Sequence, residues 1–176
     1  TTANDYGSDG RYLVSSTNGL GQASAITSRD PATGQVAGVS DVNEISAEVL
    51  YDDMGREYLR VDATGAWSRT ETSSCSALSV CPNAAAYVTT TSVSGGGSSA
   101  VYYDSLGRAL RTAKVGFDGT WIYVDTEYDS LGRVKHQSLP YFAGAQPAGW
   151  TTTSYDFLGR ITKVTLPDTS SSVKVY

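Results

Sequence analysis

One hexapeptide pattern, Tyr-Asp-x-x-Gly-Arg, stands four times in this chain and restricts it to folds assembled from repeating units. Its copies are Tyr51-Asp52-Asp53-Met54-Gly55-Arg56, Tyr103-Asp104-Ser105-Leu106-Gly107-Arg108, Tyr128-Asp129-Ser130-Leu131-Gly132-Arg133 and Tyr155-Asp156-Phe157-Leu158-Gly159-Arg160. The tyrosines are 52, 25 and 27 residues apart, so the first interval has the length of two units and one copy within it has been overwritten. Two weaker copies lie upstream, Tyr6-Gly7-Ser8-Asp9-Gly10-Arg11 and Arg29-Asp30-Pro31-Ala32-Thr33-Gly34-Gln35. A fixed period of this length marks a repeat architecture, and residues 1–176 read as a single array of about seven units.

Each unit holds two turns. Asp-x-x-Gly fits a type I turn followed by a left-handed residue: Asp bonds the backbone two residues on, and Gly accepts positive φ without a Cβ clash. The Arg then returns on the second strand, where it can pair with the carboxylate or lie over the Tyr ring. An exposed contact of either kind is worth only about 0.5–1 kcal/mol, so it sets register more than it adds stability. A second turn falls midway in each unit, at Thr17-Asn18-Gly19-Leu20-Gly21, Asp41-Val42-Asn43-Glu44, Asp62-Ala63-Thr64-Gly65 and Phe117-Asp118-Gly119-Thr120. Between turns run β-branched and aromatic segments such as residues 121–128 and 160–166, and no stretch sustains helical periodicity. The chain is therefore all-β, a stack of antiparallel hairpins.

These motifs resemble the YD-repeat (RHS) family, which includes bacterial Rhs polymorphic toxins, the B and C subunits of Tc insecticidal toxins and the extracellular teneurins. The resemblance covers nearly the whole chain. It implies a long, curled antiparallel sheet, an arc of a spiral β-shell that in toxin members encloses a toxic C-terminal domain. Three features depart from fuller members: no toxin domain follows the repeats, the chain stops where a further Tyr-Asp would begin, and the self-cleavage motif Asp-Pro-x-Gly-Leu is missing. Asp30-Pro31-Ala32-Thr33-Gly34 approaches that motif, but its Gly is one place late and no Leu follows, so it reads as a degenerate repeat turn.

Seven units supply about 14 strands, or about 65 Å of sheet at roughly 4.8 Å per strand. A wall around a compact domain of about 100 residues, radius about 17 Å, needs roughly 33 strands. Residues 1–176 cannot close a container alone. The expected partners are further YD repeats of a longer chain, or identical subunits joined through open edge strands as a homopolymer. Neither Thr1-Thr2-Ala3-Asn4-Asp5 nor Ser170-Ser171-Ser172-Val173-Lys174-Val175-Tyr176 reads as a capping unit.

A net charge of −5 disfavours nucleic acid and acidic membrane surfaces as partners, and no apolar run reaches the length of a membrane span. Residues 72–100 break the pattern with a Ser-, Ala- and Gly-rich insertion that holds both cysteines. A thin-cored insertion gains from a local staple, so Cys75 and Cys81 are expected to form a disulfide in an oxidising, extracellular or cell-surface setting. Two free buried thiols are the alternative. Zinc would need two further ligands where the chain has one histidine.

No enzyme constellation emerges and no cofactor is implied. His136 alternates within a strand, the repeated Asp residues form turns, the adjacent Asp52 and Asp53 lack further acidic neighbours for a metal, and Gly95-Gly96-Gly97 reads as a linker. Trp67, Trp121 and Trp150 each follow a midpoint turn. Facing inward they are core, the preferred reading because the core is otherwise thin; facing outward they form a row that stacks on carbohydrate. The expected function is structural wall, with an adhesive or carbohydrate-binding module as runner-up.

Overall fold

The computed structural model describes residues 2–78 and 80–176; Thr1, in the leading stretch, and Ser79, in the insertion, lie outside the described residues. Among the described residues sixteen strands follow one another: β1 (Ala3–Asp5), β2 (Ser15–Thr17), β3 (Ala23–Arg29), β4 (Val36–Ser40), β5 (Ser46–Tyr51), β6 (Glu57–Val61), β7 (Trp67–Ser74), β8 (Tyr87–Val93), β9 (Ser99–Tyr103), β10 (Ala109–Val115), β11 (Trp121–Tyr128), β12 (Val134–Ser138), β13 (Tyr141–Phe142), β14 (Trp150–Tyr155), β15 (Ile161–Thr165) and β16 (Ser171–Val173). A single 3-10 turn, Cys75–Ala77, is the only helical element among the described residues.

The chain forms two compact units. The first comprises Thr1–Glu71 with Thr91–Gly96, the second Thr72–Thr90 with Gly97–Tyr176. In the first, β1 to β7 pair in chain order, each antiparallel to the next. In the second, β9 to β12 pair in order, then β14 to β16, with β12 joined directly to β14. Strands β7 and β8 contribute to both units, and threonine hydroxyls face each other across them in each: Thr70 with Thr91 in the first, Thr72 with Thr89 in the second.

Turn chemistry explains the meander. In each full copy of the hexapeptide the Asp N–H donates to the Arg carbonyl and the Gly N–H to the Asp carbonyl, as in Asp52–Arg56 (2.9 Å) and Gly55–Asp52 (2.8 Å). Gly132 has φ +80°, a conformation in which a Cβ would meet the following backbone. Beside each such turn the strand register slips, at Leu50/Tyr51, Ala109/Arg111, Glu127/Tyr128 and Ser154/Tyr155, the bulge that accompanies a left-handed turn residue. The midpoint turns close in the same way at 18–22, 41–45, 62–66 and 116–120, with a fifth at 166–170 that the composition did not reveal. Two of them place a non-glycine residue in the left-handed region, Glu44 (φ 62°) and Thr169 (φ 69°).

The two longest connections depart from this rule. Cys75 N–H donates to Ala86 O (2.9 Å), the bond that Asp and Arg make elsewhere, so the loop between them replaces one Asp-x-x-Gly-Arg turn. Leu139 N–H donates to Gly149 O (2.9 Å), and the loop between these replaces a midpoint turn. Its strand β13 folds back to pair with β11 through Ile122–Phe142 and Tyr123–Tyr141. The glycine tract read as a linker is a tight turn, Gly96 N–H donating to Val93 O (3.2 Å). The core is small and lies in the second unit: Cys75, Val88, Ala100, Tyr102 and Ala113, with Cys81, Ala85, Trp121 and Tyr123 packed against it.

Candidate functional site

The repeat motif builds a ladder of identical fastenings. The Asp Oδ1 of every full copy accepts two backbone N–H bonds, from the second turn residue and from the Arg, as at Asp129 from Leu131 and Arg133 (both 2.9 Å). The other carboxylate oxygen takes the Arg Nε, at 2.7–2.8 Å in all four copies. At Asp52, Asp104 and Asp129 the Arg backbone N–H bond is the strongest influence and, with the guanidinium, holds each carboxyl below its ordinary value. At Asp156 burial is the largest influence and pushes upward, but the bonds from Arg160 outweigh it.

The ring that each Arg covers comes from the next copy, not its own. Arg108 lies over Tyr128 (4.9 Å), Arg133 over Tyr155 (4.4 Å) and Arg160 over Tyr176 (4.4 Å). Each of these tyrosines also donates its hydroxyl to the carbonyl just after that Arg: Tyr128 to Ala109 (3.0 Å), Tyr155 to Val134 (2.8 Å), Tyr176 to Ile161 (3.1 Å). Tyr51 makes the same bond to Val36 (2.8 Å), although Gln35 stands where the Arg would be. In the degenerate second copy Arg29 stands in the tyrosine position and lies over Tyr12, the residue after Arg11 of the preceding copy, at 4.7 Å. Tyr103 follows the overwritten copy and stacks on Tyr87 instead (4.9 Å, 17°).

The ladder leaves one set of side chains unused. Met54, Leu106, Leu131 and Leu158 occupy the same turn position, where only their backbone N–H is needed, and all are well exposed, from 63% to 76%.

Cys75 and Cys81 are joined as a disulfide, with Cα atoms 5.7 Å apart. Trp67, Trp121 and Trp150 each open a strand, opposite Val61, Val115 and Ser138. Their surroundings differ. Trp121 packs on the core and Trp67, in the first unit, is 40% exposed. Trp150 meets the ring of His136 edge-on at 6.4 Å. His136 Nδ1 is hydrogen-bonded to Thr152 Oγ1 (3.0 Å).

The second unit also carries a cleft of about 800 Å³. Its floor includes Arg111, Tyr123, Asp125 and Tyr128, and its walls come from Cys81, Pro82 and Asn83 on one loop and Gly144 to Pro147 on the other. Arg111 grips Asp125 with two bonds (2.6 and 2.8 Å) and also donates to Tyr141 Oη (2.8 Å). Tyr141 donates to Asp125 Oδ2 at 2.5 Å. Burial, then the bond to Asp125, pushes the Tyr141 phenol up to about 12. Burial also raises Asp125, but bonds from Arg111 and Tyr141 outweigh it and leave the carboxyl below its ordinary value. This network escaped the sequence reading because its members belong to different strands and no short motif links them.

No family model matches the chain, and no curated protein matches it. Solved structures do. The crystal structure of TcdB2-TccC3 superposes with a TM-score of 0.68 at 16% identity, covering 99% of this chain and 12% of that one. The Tc holotoxin pore of Photorhabdus luminescens gives a TM-score of 0.57 at 13% identity, over 94% of this chain and 8% of that one. The chain thus spans about a seventh or less of the solved chains it resembles. Its fold is the antiparallel hairpin array of these Tc structures, in keeping with the YD-repeat likeness of its motif.

Proposed function

We propose that this chain is a length of wall in a YD-repeat shell, a structural and non-enzymatic sheet continued by other repeats of the same longer polypeptide. The carrying observation is the fastening of successive units from Arg108 onward by Arg, Tyr and a backbone carbonyl, because residues spent on joining units serve a continuous sheet. The fold likeness to TcdB2-TccC3 over 99% of the chain supports the same reading. So do the exposed turn tips Leu106, Leu131 and Leu158, an apolar row that a neighbouring course of wall would cover. On this reading residues 1–176 are one array of about seven units with the overwritten copy at 72–100. The Cys75–Cys81 bridge fits an extracellular or cell-surface location for a toxin-associated shell.

The test is the polypeptide in its native source. Its intact mass is expected to be several times 18.6 kDa, and limited proteolysis is expected to spare an enclosed segment until denaturant opens the wall. A native mass near 18.6 kDa with filaments would replace this reading by self-stacking through β1 and β16. A monomer of that mass that binds oligosaccharide through Trp67, Trp121 and Trp150 would replace it by the adhesive module.

A further inference from the structure

In a repeat array the regular units make scaffold, and specific recognition is found where the repeat is broken. Here the two longest departures come to one place. The loop after Cys75 and the loop after Leu139 replace turns of different kinds, yet both line the cleft over β10 and β11.

The lining has the composition of a binding hot spot. Trp150, Tyr123, Tyr128, Tyr141, Arg108 and Arg111 surround the cavity, and Trp, Tyr and Arg are the residues enriched where partner side chains are anchored. The arginines of the floor are already matched, Arg111 with Asp125 and Arg108 with Asp104, and the one further charged residue in the lining is Glu127, so the cleft offers little to a highly charged ligand. Each loop adds one primary amide, Asn83 and Gln146, and among the described residues neither has a protein hydrogen-bond partner. A primary amide presents one carbonyl and one N–H face, the complement of a peptide group. Tyr123, Tyr128 and Tyr141 each carry a guanidinium over the ring, and Trp150 is the lining aromatic for which none is found among the described residues; that suits a polypeptide better than a stack of sugar rings. No segment of the described chain fills the cleft.

We infer that this cleft is a docking site for an extended polypeptide segment of low net charge, supplied from outside residues 1–176 and clamped between Asn83 and Gln146. The size fits a handful of residues, within the roughly 300–1,000 Å³ usual for such sites. This site is independent of the wall reading: a free adhesive module or a wall would carry it equally.

The experiment pans the oxidised protein against a phage-displayed library of random linear dodecapeptides and titrates the enriched consensus peptide by tryptophan fluorescence. A consensus low in charge is expected. Its affinity should fall at least tenfold in the Asn83→Ala/Gln146→Ala double variant and in Trp150→Ala, while Trp67→Ala leaves it unchanged. Both amides are exposed, so the double variant should keep the wild-type melting curve, which separates lost binding from lost fold. Failure to enrich any consensus over the double variant overturns the inference. So does a consensus whose binding ignores these substitutions, or quenching of Trp150 by maltotriose or chitotriose without peptide binding.

Discussion

Replacing Arg133 by Ala removes one rung of the ladder and tests whether it runs between copies. Arg133 pairs with Asp129 of its own turn (2.7 Å), covers Tyr155 of the next copy at 4.4 Å and donates to Asp156 O at 3.3 Å. Its side chain is 29% exposed. A guanidinium over a ring at such a site is worth about 0.5–2 kcal/mol, and a charged bond to a carbonyl, long as this one is, sits near the lower end of about 0.5–1.5 kcal/mol. Asp129 keeps its two backbone bonds, so the turn itself survives. The expected loss is about 1–3 kcal/mol, a fall in urea midpoint of order 1 M. Arg133→Lys should recover part of it, because an ammonium lacks the planar fork. The decisive assay is a pair of double-mutant cycles. Arg133→Ala with Tyr155→Leu should show coupling of about 0.5–1.5 kcal/mol, whereas Arg133→Ala with Tyr128→Leu should be additive within about 0.5 kcal/mol. Coupling to Tyr128 as large as that to Tyr155 would refute the reasoning, because it would place the contact within one copy.

Four further outcomes are expected. Gly132→Ala forces a Cβ into φ +80° and should cost about 1–2 kcal/mol, whereas Glu44→Gly relieves φ 62° and should gain about 0.5 kcal/mol, both read by urea unfolding. Tyr141 binds its proton more tightly folded than unfolded, so its contribution is fully present below pH 10 and lost as pH rises toward 12. Tyr141→Phe should remove that alkaline phase from a stability profile, and an unchanged phase would contradict the network. Cys75→Ala/Cys81→Ala should cost about 2–3 kcal/mol, with faster amide exchange confined to residues 72–90 and unaltered exchange in β14 to β16. Trp121→Ala should lower stability by about 2–4 kcal/mol and Trp67→Ala by much less, since only Trp121 packs on the core; equal losses would be inconsistent with that packing.

Architecture was legible in this sequence because turns are local. Asp52 to Arg56 carry their own fold code in five positions, and the code survives being read one copy at a time. The partner of each Arg was not legible in the same way. Tyr128 and Arg133 are five residues apart and invite pairing, while the true partner of Arg133 is 22 positions on, at Tyr155. Spacing along a chain says nothing of which hairpin lies alongside. The cleft was hidden for a related reason: its floor is regular strand and its walls are a cysteine loop and a proline-bounded loop far apart in sequence. The turn at Leu166 to Ser170 was missed because Thr169 takes the left-handed position usually signalled by glycine.

The ladder has a consequence for how such a chain can grow. The copies at 128–133 and 155–160 each carry a ring for the predecessor and a guanidinium for the successor, so a whole copy of this kind can be duplicated or deleted and leave no group stranded. A cut at any other phase orphans one of the two. The reading frame of this protein's evolution is therefore the copy itself, and its direction is fixed, since an inverted copy would offer ring to ring and cation to cation. Where the pattern has worn away, the neighbours show the repair: Tyr87 beneath Tyr103, and Arg29 over Tyr12, keep a flat group against a flat group. What is inherited at these joints is a stacking contact, and the identities that supply it are free to drift in pairs.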